Sequence, residues 1–168
     1  MLLTIHDANL KKVAFIDNEK QNTLHYFDDV WTRNKETGSS TFEFTVLKKT
    51  TDKTYNYLNE KAFVSFKCNG KSYVFSVMTV EENEQTIRCY CENLNLELIN
   101  EYTNAYKATK AMSFVEYCNA MGLLSFTYLS IGINEISDQK RVLEWEGQDT
   151  KLARLLSLAK KFDAEIEF

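Results

Sequence analysis

The sequence predicts an α+β protein in two parts: an N-terminal antiparallel, β-barrel-like domain over residues 1–99, then a small α/β domain with two helices over residues 100–168. Three observations carry this. Residues 40–47 alternate, with Phe42, Phe44 and Val46 on one side and Thr41, Glu43 and Thr45 on the other, the period of a half-buried strand. Asn69-Gly70 separates two further alternating runs, AFVSFKC and KSYVFSVMTV, and supplies the two positive φ angles of a type I′ hairpin. After Tyr102 helix-start signals take over: Ser113 with Glu116 three residues on, and Asp149-Thr150 ahead of a leucine stripe.

Taken in order, residues 2–6 and 13–16 read as two short strands joined by a turn at Asp7, Ala8 and Asn9. Residues 24–32 are aromatic and β-branched and pair with 40–47 in a long hairpin, whose polar segment 33–40 reads as a solvated, mobile loop that orders on assembly. Between 50 and 60 the chain is polar, and Asp52 suits the cap of a single helical turn. The Asn69-Gly70 turn sets a register in which Cys68 faces Lys71, Phe66 faces Tyr73, Val64 faces Phe75 and Ala62 faces Val77. The opposite face then carries Phe63, Val74, Met78 and Val80, so a covering surface is expected there, from the same domain or a partner subunit. Residues 81–85 form a second turn. Ile87, Cys89 and Cys91 share the next apolar face, and Leu94, Leu96 and Leu98 continue a period-two line.

In the second part, Ser113 and Glu116 make a capping box, Phe114, Cys118 and Met121 follow at helical spacing, and Gly122 ends the helix. Residues 124–131 and 141–146 read as strands around a polar stretch at 134–139. The second helix presents Leu152, Leu155, Leu156, Ala159 and Phe162 as its apolar stripe, with Lys151, Arg154 and Lys161 facing water. Residues 164–168 alternate as the start of a further strand, and the chain therefore reads as a fragment of something longer.

Composition narrows the function classes. The chain has 168 residues, 44% hydrophobic, with a net charge of −4 and no basic block, which argues against nucleic-acid binding. No apolar run approaches the ~18 residues of a membrane span, and the N-terminus reads as a first strand, not a signal peptide. There is no proline, and no Pro/Gly/Ser-rich linker. Cys68, Cys89, Cys91 and Cys118 read as free thiols: the Cys-x-Cys pair lies about 6–7 Å apart along a strand, poor for a disulfide, and no histidine clusters with them for zinc. The carboxylates at Asp28-Asp29 and in residues 81–85 read as solvated. No catalytic, cofactor-binding or metal-binding residue is assigned.

The chain resembles the N-terminal hub region of phage and prophage tail-associated lysins, the prophage tail endopeptidase family of Gram-positive hosts. The resemblance is carried by the short strand pair, by HYFDDVWTRNKETGSSTFEFTV, by Tyr57 to Glu60, by Ser72 to Val77 ending in Glu81-Glu82, by CYCENLNLELI, and above all by LEWEGQDTKLARLLSLAKKFDAEIEF. Order and spacing give it specificity; residues 103–139 contribute least. The resemblance implies a fold similar to baseplate hub proteins of contractile-tailed phages, assembly as a trimer at the virion tail tip after synthesis in the bacterial cytoplasm, and contacts with the distal tail protein and the tape-measure protein. It implies no membrane or nucleic-acid partner and no cofactor. In many members a cell-wall hydrolase follows C-terminally, but no catalytic residue maps onto this chain, so it is read as a non-enzymatic link between tail tube and distal tip or lysin. The alternative is a carbohydrate- or cell-wall-binding module using Trp31, Trp145 or tyrosines; a wall hydrolase lacks the necessary His/Cys/Asp constellation.

Overall fold

Seven strands build one antiparallel sheet: β1 (Leu2–His6), β2 (Lys12–Asp17), β3 (Tyr26–Asn34), β4 (Ser39–Leu47), β5 (Phe63–Cys68), β6 (Lys71–Glu82) and β7 (Thr86–Asn93). Their order is β2-β1-β5-β6-β7-β4-β3. The computed structural model describes every residue except Lys35. It divides into two compact units, Met1–Asn34 with Ser39–Leu94, and Asn95–Phe168 with residues 36–38.

The expected barrel is not closed. The sheet is open, with β2 and β3 as its edges. The Asn18 side chain takes up the backbone groups that a closing ladder would use: its Nδ2 donates to the Tyr26 carbonyl at 2.9 Å and its Oδ1 accepts from the Tyr26 N–H at 2.8 Å. One face of the sheet holds the core. Ile16, Leu3, Ile5, Val64, Phe66, Phe75, Val77, Ile87, Cys89, Cys91, Phe42, Phe44 and Val46 are all buried in it. Burying each large side chain there contributes about 1.5–3 kcal/mol. Phe66 stacks on Phe75 at 5.5 Å and meets Phe42 at 4.9 Å, so the aromatic cross-strand pairs hold the register.

The β5–β6 hairpin has the expected register, Cys68 opposite Lys71, Phe66 opposite Tyr73 and Val64 opposite Phe75, and the Val77 N–H donates to the Ala62 carbonyl at 3.0 Å. Asn69 and Gly70 both have positive φ, at 50° and 79°. Asp52 accepts from the Thr54 N–H at 2.9 Å, but the cap of the single 3-10 turn at Thr54–Tyr57 is Lys53, which makes no side-chain cap bond, so the expected Asp52 cap is corrected to a local turn.

Three further expectations for this region are corrected. The β3–β4 loop is shorter than residues 33–40, because the pairing continues through Arg33–Ser40 and Asn34–Ser39; Lys35, part of the expected loop, lies outside the described residues. The outer face of β6 is less apolar than strict alternation implies. The ladder with β7 shifts between Val77 and Thr79, so Met78 is the extra residue of a bulge and Val80 pairs with Cys89. One inserted residue flips the strand: Val80 packs against the core and Met78 points outward, 45% exposed. Val74 is half-buried and Phe63 is buried. Finally, Leu94–Ile99 is a 3-10 helix, not a continuing strand, with Asn95 and Leu98 buried at the i, i+3 spacing of that helix.

The second unit has two α-helices, α1 (Phe114–Ala120) and α2 (Lys151–Lys161), and four two-residue strands, β8 (Tyr102–Thr103), β9 (Tyr106–Lys107), β10 (Glu144–Trp145) and β11 (Asp149–Thr150). β9 pairs with β10 and β8 with β11. The capping box is formed: the Glu116 N–H donates to Ser113 Oγ at 3.3 Å and the Ser113 N–H to the Glu116 carboxylate at 2.7 Å. Gly122 follows at φ 61°. Thr150 caps α2 by accepting from the Ala153 N–H at 3.2 Å. The strand expected at 124–131 is absent; Leu124, Leu129 and Ile131 rest against the second core while Phe126 is fully exposed. The strand expected at 141–146 contracts to β10 and a bridge between Met112 and Arg141. Residues 164–168 form no strand, yet their burial alternates, with Ala164, Ile166 and Phe168 packed on the core.

Candidate functional site

The largest surprise in charged chemistry is on α2. Leu152, Leu155, Ala159 and Phe162 are buried as expected, Leu156 is only half-buried, and Leu158, outside the expected stripe, is wholly buried. The apolar face is rotated toward positions 151, 154, 155 and 158. Lys151 and Arg154, expected in water, are therefore buried, Arg154 at 2% exposure. Lys151 pairs with Glu101. The Arg154 guanidinium donates to the Asn104 and Gly147 carbonyls, both at 3.1 Å, and lies 5.4 Å from the Trp145 ring centroid. Its Nε has no hydrogen-bond partner among the described residues. Burial lowers its pKa, which nearby Asp149 partly offsets. A guanidinium held by two carbonyls and a ring is a structural tie. The signal was present in the spacing: Leu158 lies four residues after Arg154, on the same face.

His6 is hydrogen-bonded, and three of the four cysteines are buried. His6 Nδ1 donates to the Leu10 carbonyl at 3.2 Å, and its Nε2 meets the Ser65 hydroxyl at 2.8 Å. All four cysteines are free thiols. Burial pushes the Cys89 and Cys118 thiols up to about 12 and Cys91 higher still, the state of inert core thiols. Tyr26 is raised to about 12, by burial first and then by Asp29, Asp17 and Glu19. Asp28 and Asp29 are exposed at a bulge in β3, where Asp28 has φ 52°. The turn after β6 is organised by Asn83, whose Oδ1 accepts from the Gln85 and Thr86 N–H groups. Among the described residues no three His, Cys, Asp or Glu side chains converge as metal ligands.

Both tryptophans have ring neighbours inside their units. Trp31 packs on Phe66 at 5.1 Å and Tyr73 at 4.7 Å, and its Nε1 donates to Ser40. Trp145 meets Tyr117 edge-on at 5.6 Å and donates to Ser157. A concave surface in the first unit combines exposed rings with polar groups. It is an open groove of about 570 Å³ beside β2, where Phe15 and Tyr57 are each half exposed. Phe15 alternates with buried Ile16, so an outward aromatic on β2 was legible; the groove was not.

The class defined by this geometry is an α+β fold: an open seven-stranded antiparallel sheet, and a small two-helix unit. No known protein-family model matches the chain, and no curated protein sequence does. In structure it is similar to prophage tail protein gp18 from Listeria monocytogenes EGD-e, with a TM-score of 0.61 at 12% sequence identity, over 94% of this chain and 44% of that one. The chain thus spans less than half the length of the Listeria protein.

Proposed function

We propose that this chain is a structural component of a phage or prophage tail, a hub segment at the tail tip linking the tail tube to the distal tip or lysin. The observation that carries the reading is the fold likeness to a prophage tail protein over 94% of the chain. The family resemblance of the sequence points to the same class. In this reading the chain is non-enzymatic, assembles as a trimer, and contacts the distal tail protein and the tape-measure protein.

Gold-labelled antibody against the chain, imaged on purified particles by electron microscopy, tests the location. Label at the tail tip is expected; label on the capsid, or none on intact virions, overturns it. Cross-linking within those particles should give a trimer of the chain, and a ladder ending at the dimer refutes that stoichiometry. A zymogram of the purified chain on cell walls should show no clearing.

A further inference from the structure

The second unit carries a strand-like run that pairs with nothing among the described residues. Residues 129–134 form no turn, helix or ladder, and none has a positive φ. Burial alternates along it: Leu129 and Ile131 rest against the second core, while Tyr128, Ser130 and Gly132 are exposed. The N–H and carbonyl groups of residues 130–133 make no hydrogen bond among the described residues. A Cβ added at Gly132 would meet open space, so the approach to this backbone is clear. Ile133 is 96% exposed and Phe126 fully so.

What covers this run follows from its backbone and its charge. From 117 to 134 the chain has no charged residue and no histidine. Exposed apolar side chains without charge also suit a lipid surface, but hydrocarbon offers bare N–H and C=O groups no partner. A second extended backbone does. The devices that keep an edge from pairing with its own copy are placed elsewhere: β3 has a bulge with exposed Asp28 and Asp29, and β2 has exposed Lys12 beside Lys11. Residues 129–133 have no charge and no proline, so nothing repels an identical segment. The run is also complementary to itself. With Ile131 opposite Ile131, an antiparallel pair sets Leu129 opposite Ile133 and Ser130 opposite Gly132. Large apolar residues then meet on one face and small ones on the other. Ile133 gains the cover it lacks in the single chain.

We propose that residues 129–133 are a self-pairing strand, along which two copies of the chain join antiparallel with Ile131 at the two-fold axis. Such a contact uses the same patch on both copies and closes at two. It therefore goes beyond the trimer of the tail reading and does not rest on it.

The test is analytical ultracentrifugation and hydrogen exchange on the full chain from about 1 µM to 1 mM. The mass is expected to rise from monomer to dimer. Exchange within residues 130–133 should slow at the high concentration only, and on alternate amides, because one edge of a strand presents every second N–H. Ile133→Lys should weaken the dimer at least about tenfold. Its melting temperature at about 1 µM should match the parent's, since that side chain is exposed. Val30→Lys, exposed on β3, is the control and should leave the dimer as it is. A monomer at every concentration, a dimer that Ile133→Lys leaves intact, or protection confined to other residues overturns the proposal. So does a chain that stays monomeric and sediments with phosphatidylcholine vesicles, which makes the segment a lipid contact. A trimer in place of the dimer also overturns it, while leaving the tail reading standing.

Discussion

Replacing Arg154 by methionine removes the guanidinium while keeping a long apolar stem in its place. The two donated hydrogen bonds, to the Asn104 and Gly147 carbonyls, are charge-assisted. They are worth about 1.5 kcal/mol each, the low end for charged donors, because both carbonyl-bearing residues are exposed and water can replace the donor. Loss of the Trp145 contact adds about 0.5–1 kcal/mol. Against this, the variant no longer desolvates a cation, a relief of about 1–2 kcal/mol. The expected net loss is about 2 kcal/mol. Arg154→Lys should do no better, because an ammonium on a shorter stem cannot span both carbonyls. The assay is urea unfolding followed by Trp145 fluorescence in a Trp31→Phe background, so that one unit is reported alone. Lys160→Met, on the exposed side of the same helix, is the control and should stay within about 0.5 kcal/mol. If Arg154→Met is as stable as the parent or more so, the buried cation is merely tolerated and the reasoning fails.

Three further outcomes follow from the same geometry. Met78→Asp, at the exposed bulge, should cost under about 0.5 kcal/mol, whereas Val80→Asp, opposite Cys89 on the core side, should cost more than about 2 kcal/mol by chemical denaturation; equal costs would mean the bulge is absent. Glu116 has its pKa held below the ordinary 4.5 by hydrogen bonds from Ser113, so its contribution is complete above that value and is lost as pH falls through the lowered pKa. An NMR titration should find the parent carboxyl below its ordinary value and only partly returned in Ser113→Ala, which keeps the backbone donor but loses the hydroxyl and about 1 kcal/mol of helix capping; a parent carboxyl at its ordinary value sinks the capping box. Gly38→Ala should melt lower than Gly70→Ala. Both glycines have positive φ, but a Cβ at Gly38 would lie 3.0 Å from the Phe168 ring, while at Gly70 it meets open space. Identical melts would show that the ring yields freely.

What could be read from the sequence was whatever acts over a few residues. The Asn69-Gly70 turn, the alternation of β4, the Ser113–Glu116 box and the Thr150 cap are each decided by backbone preferences and hydrogen bonds closing within four residues.

Other features depend on partners far along the chain, and only the tertiary structure decided them. The bulge at Met78 belongs to the ladder of β6 with β7, which shifts between Val77 and Thr79 beyond the end of the β5 pairing. The irregular run at 124–131 has strand composition, but composition cannot supply a neighbouring ladder. Arg154 is buried because carbonyls 50 and 7 residues away converge on it, and a helical stripe drawn from apolar residues alone turns away from that face. The open edges of the sheet are of the same kind: at the start of β3 the Asn18 side chain, not a neighbouring strand, pairs with the Tyr26 backbone, a choice between side chain and backbone that no periodicity encodes.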